Sequence, residues 1–599
     1  MEQIDFHEED KLEKVYDSHL MKRLLGYARP FIRILSVCLV LLLIAAVTDL
    51  LRPIFFRWAI DEYLNDMKML TVDQRTQGIL HIGIVFFAVM TLGFVTNSLQ
   101  AIFLSKTGQQ IVFNIRQHVF SHIEKLPVSY FDKNPIGRLV TRVTNDTEAL
   151  NEMYTNVMVN FFKDVLLVVG SVIGMFMMSV KLTCIILLVF PIIATIAIVF
   201  RMKARNAYRD VRVKLARINA ALSESISGIK IIHIFNKRQQ KYREFVSISH
   251  DYYRAGMREI VVYGVFRPVV ELIAAMGVAA IVWYGGIEVV NGTLTIGALF
   301  TFVTYLFQMF QPISDLSEKF NILQSAMAAS ERIFQVLDQP VEADEGKLVL
   351  DHEKFKGKIE FKNVWFAYNE EEWVLKDVSF AIQPGQTVAL VGATGAGKTS
   401  IINLLSRLYE IQKGQVSIDG IDVKQMNKDC LRKNIATVFQ DVFLFSGDVQ
   451  SNIRLNNMEI SDEQVEKAVE YVNAASFVEK FPGKYSQEIN ERGSTLSAGQ
   501  RQLLAFARAL VFDPAILVLD EATANIDTET ELLIQDALKK ITQDRTTIII
   551  AHRLSTIQHA DNIIVLHHGR IKEVGNHQEL LNKKGMYYDL YSLQANAVG

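Results

Sequence analysis

Apolar residues fall into two regimes along the chain. Before about residue 320 they form long runs, and after it they form short alternating or amphipathic stretches. Crossing a bilayer core takes about 20 apolar residues in a helix. The runs Ile34–Phe56, Ile79–Phe103, Val165–Val180, Leu182–Phe200, Val261–Ile287 and Leu294–Leu316 predict six spans. The third and fourth are nearly continuous, yet together too long for one crossing, so a tight hairpin is expected near Lys181. Arg201, Lys203, Arg205, Arg209, Arg212, Lys214 and Arg217 crowd one connecting segment, and Lys106, Arg116, Lys125, Arg138 and Arg142 another. The alternate loops carry little beyond Lys68, Arg75 and Lys181. Positive charge stays on the inner side, which predicts a multi-pass protein of the cell membrane with both termini in the cytoplasm. If each basic segment folds as two helices continuing the spans, it projects roughly 40 Å from the bilayer. Turn signals mark the tips, "NPIG" at Asn134–Gly137 and "SISGIK" at Ser225–Lys230. They are either docking elements or plain solvated hairpins.

Ahead of the first span, "SHLMKRLLGYARP" mixes Leu20, Met21, Leu24 and Leu25 with Lys22, Arg23 and Arg29, as a helix on the inner membrane surface would. Inside the runs, Asp49, Arg52 and Glu271 are costly at such depth; they line a wet path or hold helices together as ion pairs. Composition agrees with a membrane protein: half the residues are hydrophobic and mean hydropathy is +0.18. A formal net charge of −2 gives no sign of nucleic acid binding. The acidic N-terminus cannot be a signal peptide. Cys38, Cys184 and Cys430 lie too far apart to suggest a disulfide framework or a metal cluster.

Beyond a charged linker around "DQPVEADEGK", the segment "TVALVGATGAGKTSIINLL" reads strand, glycine loop, helix. Gly392, Gly397, Lys398 and Thr399 fit G-x-x-x-x-G-K-[ST], with Thr394, Gly395 and Ala396 inside the loop and Ser400 just after it. The glycines let backbone N–H groups close round phosphates, Lys398 reaches the β and γ oxygens, and the Thr399 hydroxyl ligates magnesium. ATP with Mg2+ is therefore expected. A second strand, "AILVLDEAT", ends in Asp520 and Glu521. One carboxylate can hold the magnesium and the next can polarise an attacking water. A third, "TTIIIAH", brings His552 to reach the same terminal phosphate. In "TLSAGQRQLLAFARAL", Ser497 and Gly499 stand at the opening of an apolar helix, whose free N–H groups seat an anion.

The order P-loop, "LSAGQRQ", "LDEAT", "AH" resembles the ATP-binding cassette (ABC) family, and the six preceding spans resemble its exporter half-transporters. The resemblance runs from about His19 to Leu593. It implies an all-α six-helix transmembrane domain followed by an α/β P-loop nucleotide-binding domain. The expected divisions are 1–30 for the cytoplasmic N-terminus and surface helix, 31–325 for the transmembrane domain, 326–358 for the linker and 359–599 for the nucleotide-binding domain. It also implies that Ser497, Gly499 and Gln500 meet ATP held by a partner chain, and that Tyr368 stacks on adenine. Gln440 would sense magnesium and water, and Asp527 would communicate between sites. Tyr368 could equally be a strand aromatic, and Gln440 a surface polar residue. The expected catalytic residues are Glu521, His552 and Gln440, and the expected magnesium ligands Thr399, Gln440 and Asp520.

Two positions depart from the family pattern: Ala498 adds a Cβ where many members have glycine, and Asn525 replaces a small residue. The resulting expectation is an ATP-driven exporter of amphipathic compounds such as drugs or lipids, in contact with membrane lipid. Its partner is expected to be a second half-transporter chain, a different one in preference to a copy. A regulatory or channel-like subunit, gated by ATP binding, is the rival reading.

Overall fold

The computed structural model describes residues 17–64, 70–344, 346–350, 354–369, 372–520, 528–550 and 557–598. Two compact units result, one formed by 1–124 with 135–339, the other by 125–134 with 340–599.

The first unit is helical. In chain order the helices are α1 (Ser18–Ala28), α2 (Ile32–Trp58), α3 (Val72–Ile123), α4 (Val128–Lys133, grouped with the second unit), α5 (Ile136–Thr141), α6 (Thr147–Glu152), α7 (Met158–Met178), α8 (Val180–Leu187), α9 (Val189–Ser227), α10 (Ile229–Ile234), α11 (Arg238–Ala280), α12 (Gly286–Val290) and α13 (Ile296–Leu337). Among the described residues, four helical stretches are long and apolar enough to cross a membrane: Ser18–Leu64, Val72–Ile123, Ile136–Met178 and Arg238–Val290. Ile296–Phe310 is a shorter apolar stretch. The fourth expected run is divided between α8 and α9 at Leu188. The hairpin expected near Lys181 falls at Ser179, whose extended backbone ends α7 and whose hydroxyl accepts the Leu182 N–H to open α8.

Chain periodicity explains why α13 runs on past residue 325. Ala326, Ala329, Ile333 and Phe334 keep one face buried against Leu24, Ile115, Val119 and Leu150. The linker expected from 326 thus begins inside a helix. Helix α1 is bound to this core as well as being amphipathic. Leu24 and Ala28 are buried, Tyr154 donates to the Leu24 carbonyl at 2.7 Å, and Arg23 pairs with Asp338 at 2.7 Å while lying over the Phe334 ring.

The second unit is α/β. Its strands are β1 (Ile359–Ala367), β2 (Trp373–Ile382), β3 (Thr387–Val391), β4 (Lys413–Ile418), β5 (Ile421–Asp422), β6 (Ile435–Val438), β7 (Gly447–Asp448), β8 (Glu488–Ile489), β9 (Ile516–Asp520), β10 (Thr546–Ile550), β11 (Asn562–His567) and β12 (Arg570–Gly575). A six-stranded sheet has the order β12-β11-β3-β10-β9-β6, with every pairing parallel except β11 with β12. Both faces are covered. Ala389, Val391, Leu517, Leu519 and Ile549 enter one core, while Val388, Leu390, Ile516, Val518 and Ile548 enter the other. Burial on both faces is why these strands read as unbroken apolar runs. A second sheet, β2-β1-β4-β5, carries Tyr368 just past the end of β1.

Candidate functional site

Parallel pairing puts the chemistry on one edge of the central sheet. Leu390 pairs with Ile550, Ile550 with Asp520, and Leu519 with Val438. The segments leaving β3, β9, β10 and β6 therefore emerge at one level, and strands lie about 4.8 Å apart. Among the described residues these are the glycine loop after β3, Asp520 and Ile550 at the ends of β9 and β10, and Phe439–Gln440 after β6. Glu521, Asp527 and His552 lie outside the described residues, as does Asn525.

The glycine loop leads from β3 into helix α14 (Lys398–Leu405). Gly392, Gly395 and Gly397 have φ of 156°, 81° and 100°, of which the last two demand a left-handed backbone. A Cβ at Gly392 would stand 2.2 Å from the Leu566 carbonyl oxygen, and one at Gly397 2.6 Å from the Leu375 side chain. Gly397 is also the N-cap of α14, and no side chain caps that terminus. The first N–H groups of α14 thus remain a seat for an anion. Lys398 is buried, its ammonium donating to the carbonyls of Gly392 at 2.7 Å and Ala393 at 3.1 Å. Burial pulls that ammonium below the ordinary lysine range, against the attraction of Asp520. A cation so placed gains from any phosphate that enters the loop.

Thr394, Gly395 and Thr399 are exposed, whereas Ala396 and Ser400 are buried. The Ser400 hydroxyl shares a 3.1 Å hydrogen bond with the Tyr368 hydroxyl, which also accepts from Asn403 at 3.2 Å. Tyr368 therefore stands beside α14 with 41% of its surface open, packed edge-on against Phe366 and Tyr409. An exposed ring fixed in this way suits stacking. Asn403 was not singled out from sequence; its position one helical turn beyond Thr399 was the available signal.

For a divalent cation, Thr399, Asp520 and the exposed Gln440 offer oxygen atoms only, the donor set of magnesium. Among the described residues, no three His, Cys, Asp or Glu side chains cluster as a metal site. Magnesium would thus complete its shell from phosphate and water.

Ser497 is the N-cap of the helix Ala498–Val511. Its hydroxyl accepts from the Gln500 N–H at 3.2 Å, while the Gln500 side-chain oxygen accepts from the Ser497 N–H at 3.0 Å. This capping box explains both residue types locally and leaves the N–H groups of Ala498 and Gly499 outside it. Gly499 is buried and Ala498 exposed. Arg501 folds back to donate to the Leu496 carbonyl at 2.6 Å, tying the preceding loop to the helix.

One further feature joins this unit. Helix α4, with Asn134 of the "NPIG" tip, belongs to it, and Tyr409 donates a hydrogen bond to Asp132. Burial and that carboxylate push the Tyr409 phenol above its ordinary range. The "SISGIK" tip lies at Gly228 between α9 and α10, where Ile226, Ile231, Ile234 and Phe235 are 69%, 63%, 79% and 68% exposed.

Comparison with known proteins completes the picture. Residues 35–313 match the ABC transporter transmembrane region, and residues 375–524 match the ABC transporter domain. The chain is 39% identical over 595 residues, 99% of itself and 98% of the relative, to an uncharacterised ABC transporter ATP-binding protein, YknV, of Bacillus subtilis. It is 42% identical, over 82% of itself and 73% of the relative, to a probable multidrug resistance ABC transporter ATP-binding/permease protein, YheH, of the same species. It is 32% identical to an ATP-dependent lipid A-core flippase of Syntrophus aciditrophicus, covering 96% of itself and 94% of the relative. With a helical membrane unit in front of an α/β unit built on this glycine loop, the chain belongs to the ABC transporter family as a multi-pass membrane protein of exporter type that binds ATP and couples its hydrolysis to transport.

Proposed function

We propose that this chain is one half of a dimeric exporter that moves amphipathic compounds, such as drugs or lipids, out of the cell by alternating access. The observation that carries the nucleotide chemistry is the loop holding Lys398 beneath an uncapped helix terminus, on the sheet edge that Asp520 and Gln440 share. In this reading Lys398 and the N–H groups of α14 hold the phosphates, and Tyr368 stacks on the base. Thr399, Asp520 and Gln440 hold Mg2+, which when bound neutralises charge on the phosphate oxygens. Glu521 takes a proton from the attacking water, His552 orients toward the terminal phosphate, and Asp527 relays between sites. Ser497, Gly499 and Gln500 complete the partner chain's site, and the partner's equivalents complete this one. The nucleotide-binding unit and both termini lie in the cytoplasm, as the basic segments suggest.

The substrate class draws support from relatives named for multidrug resistance and for lipid A flipping. We keep the expected order of surface helix, membrane domain, linker and nucleotide-binding domain, and place the end of the membrane domain at Leu337, where α13 ends, in place of 325. We favour a different chain as partner, because Ala498 alters the signature while Lys398, Asp520, Glu521 and His552 are all retained. The test is transport of labelled lipids and dyes in sealed vesicles containing the reconstituted dimer. ATP-dependent movement that stops with Lys398→Ala supports export. ATP binding that opens a passive leak without turnover would establish the channel-like alternative.

A further inference from the structure

A row of side chains on α2 changes character along its length. Cys38, Leu42 and Ala45 are buried, and the same four-then-three spacing continues through Asp49, Arg52 and Phe56. The opposite side of α2 carries Val40, Val47 and Trp58, all more than half exposed, as a lipid-facing side would. Arg52 thus points to the inward side of the helix, yet it is exposed. Among the described residues nothing pairs with its guanidinium. An unpaired arginine at this depth is tolerated only where water reaches it. The exposure of Arg52 on the inward stripe meets that condition.

The surroundings are built around charge. Lys163 of α7 donates to Asp49 at 3.1 Å and to Asn97 of α3 at 3.1 Å, with side chains 23% and 33% exposed for the ion pair. Lys163 lies about 22 Å below the outer end of α7 by helical rise. Asp164 is already neutralised by Lys319 of α13. Pro53 lacks an N–H, so the Asp49 carbonyl loses its helical partner; Gln308 of α13 supplies one at 3.1 Å. Asp49 is held in place by both backbone and side chain. Two cations and one carboxylate leave this cluster with a surplus positive charge. One turn outward, Phe56 meets Phe86 and Phe300 with ring centroids 5.4 and 5.6 Å away, an apolar wall beside the charge.

We infer that Arg52, together with Lys163 shared with Asp49, binds the anionic headgroup of the transported amphiphile, a carboxylate or a phosphate monoester, while Phe56, Phe86 and Phe300 receive its tail. The planar guanidinium presents paired N–H groups that match either oxyanion. Asp49 acts as the stand-in anion that pairs with Lys163 before substrate arrives. This inference rests on the export reading and adds the sign of the cargo.

The test uses the full-length chain with its partner in phosphatidylcholine nanodiscs. Diazirine-tailed twelve-carbon probes ending in carboxylate, phosphate monoester, trimethylammonium or maltoside are photolysed, and labelling of α2 and α7 peptides is quantified without ATP. The two anionic probes should label at about tenfold lower concentration than the maltoside, the effect of one charged hydrogen bond. Arg52→Gln should erase that preference and Arg52→Lys should retain most of it. Asp49→Asn should strengthen anionic labelling by releasing Lys163, whereas Lys163→Gln should weaken it. Equal labelling by all probes overturns the inference, as does a parallel loss in Asp49→Asn and Lys163→Gln, which a purely structural ion pair would give. Suppression of labelling by millimolar inorganic phosphate would mark a site for a free anion and overturn the amphiphile assignment. The arms separate the two readings: anion preference without ATP-driven movement in vesicles refutes export and leaves this site standing, while vigorous transport of all probes alike refutes the site and leaves export standing.

Discussion

Lys398 sits in a pocket of main-chain carbonyls, charged yet buried, with Asp520 as its electrostatic counterweight. Such a residue depends on the backbone around it, so the glycines are as sensitive as the lysine. Gly397→Ala puts a Cβ into Leu375 on a left-handed backbone. It should cost about 1–3 kcal/mol and lower the melting temperature of the purified protein, along with ATP affinity. Glu521→Gln keeps the shape of the proposed base and removes its basicity. ATP binding should persist while phosphate release slows by about 100-fold or more; near-normal turnover would remove Glu521 from that role. At this scale the sequence was informative where a motif has a mechanism, as in the glycine loop. It was less so at Ser497 and Gln500, where a reciprocal cap supplies a local reason for both residues beside the proposed contact with nucleotide. Residue type alone does not separate those two causes.

Among elements, Pro53 organises the join between α2 and α13. Thr301 donates to the Pro53 carbonyl, Tyr305 to Leu50 and Gln308 to Asp49, three bonds from successive turns of one helix to the Pro53 stretch of the other. Gln308→Leu removes the partner of the freed carbonyl and should lower stability in detergent by about 0.6–2 kcal/mol, read as a shift in the unfolding midpoint. The segment after α13 is tied differently. Burial would lift the Glu342 carboxyl, but hydrogen bonds from Arg432 and Lys428 outweigh it and hold the group below its ordinary range. Its stabilising contribution is therefore full above the unfolded carboxylate value of about 4.3 and is lost as pH falls through the depressed folded value. Glu342→Gln should flatten the acid limb of a stability-against-pH curve and leave the neutral plateau lower. Of the six expected apolar runs, four fall in helical stretches long and apolar enough to cross a membrane among the described residues, the sixth in the shorter Ile296–Phe310, and the fourth is divided at Leu188. The apolar pattern set the third run at Val165, and so missed Lys163 and Asp164 inside α7. Those charges are balanced by Asp49 and Lys319, distant in sequence, and periodicity carries no information about such pairs.

At the level of the whole molecule, a single chain carries one glycine loop and one signature helix, and the exposed apolar tip at Ile226, Ile231, Ile234 and Phe235 is costly in water. Under the proposed assembly the partner covers that tip. Expressed alone, the chain should turn over ATP poorly and regain activity with a co-expressed neighbouring half-transporter; a stable homodimer with vigorous, vanadate-sensitive turnover would refute the mixed pair. Ile234→Asp should uncouple stimulation of ATPase by cargo from basal turnover. The two anion seats described above have a mechanical corollary. Each is the positive end of a helix, worth about half a unit charge, and in the proposed dimer one from each chain faces the same phosphate. Two like charges with nothing between them push apart. Nucleotide then behaves as a removable adhesive: its triphosphate turns a repulsive seam into an attractive one, and cleavage of the terminal phosphate thins the glue at the place where the halves meet.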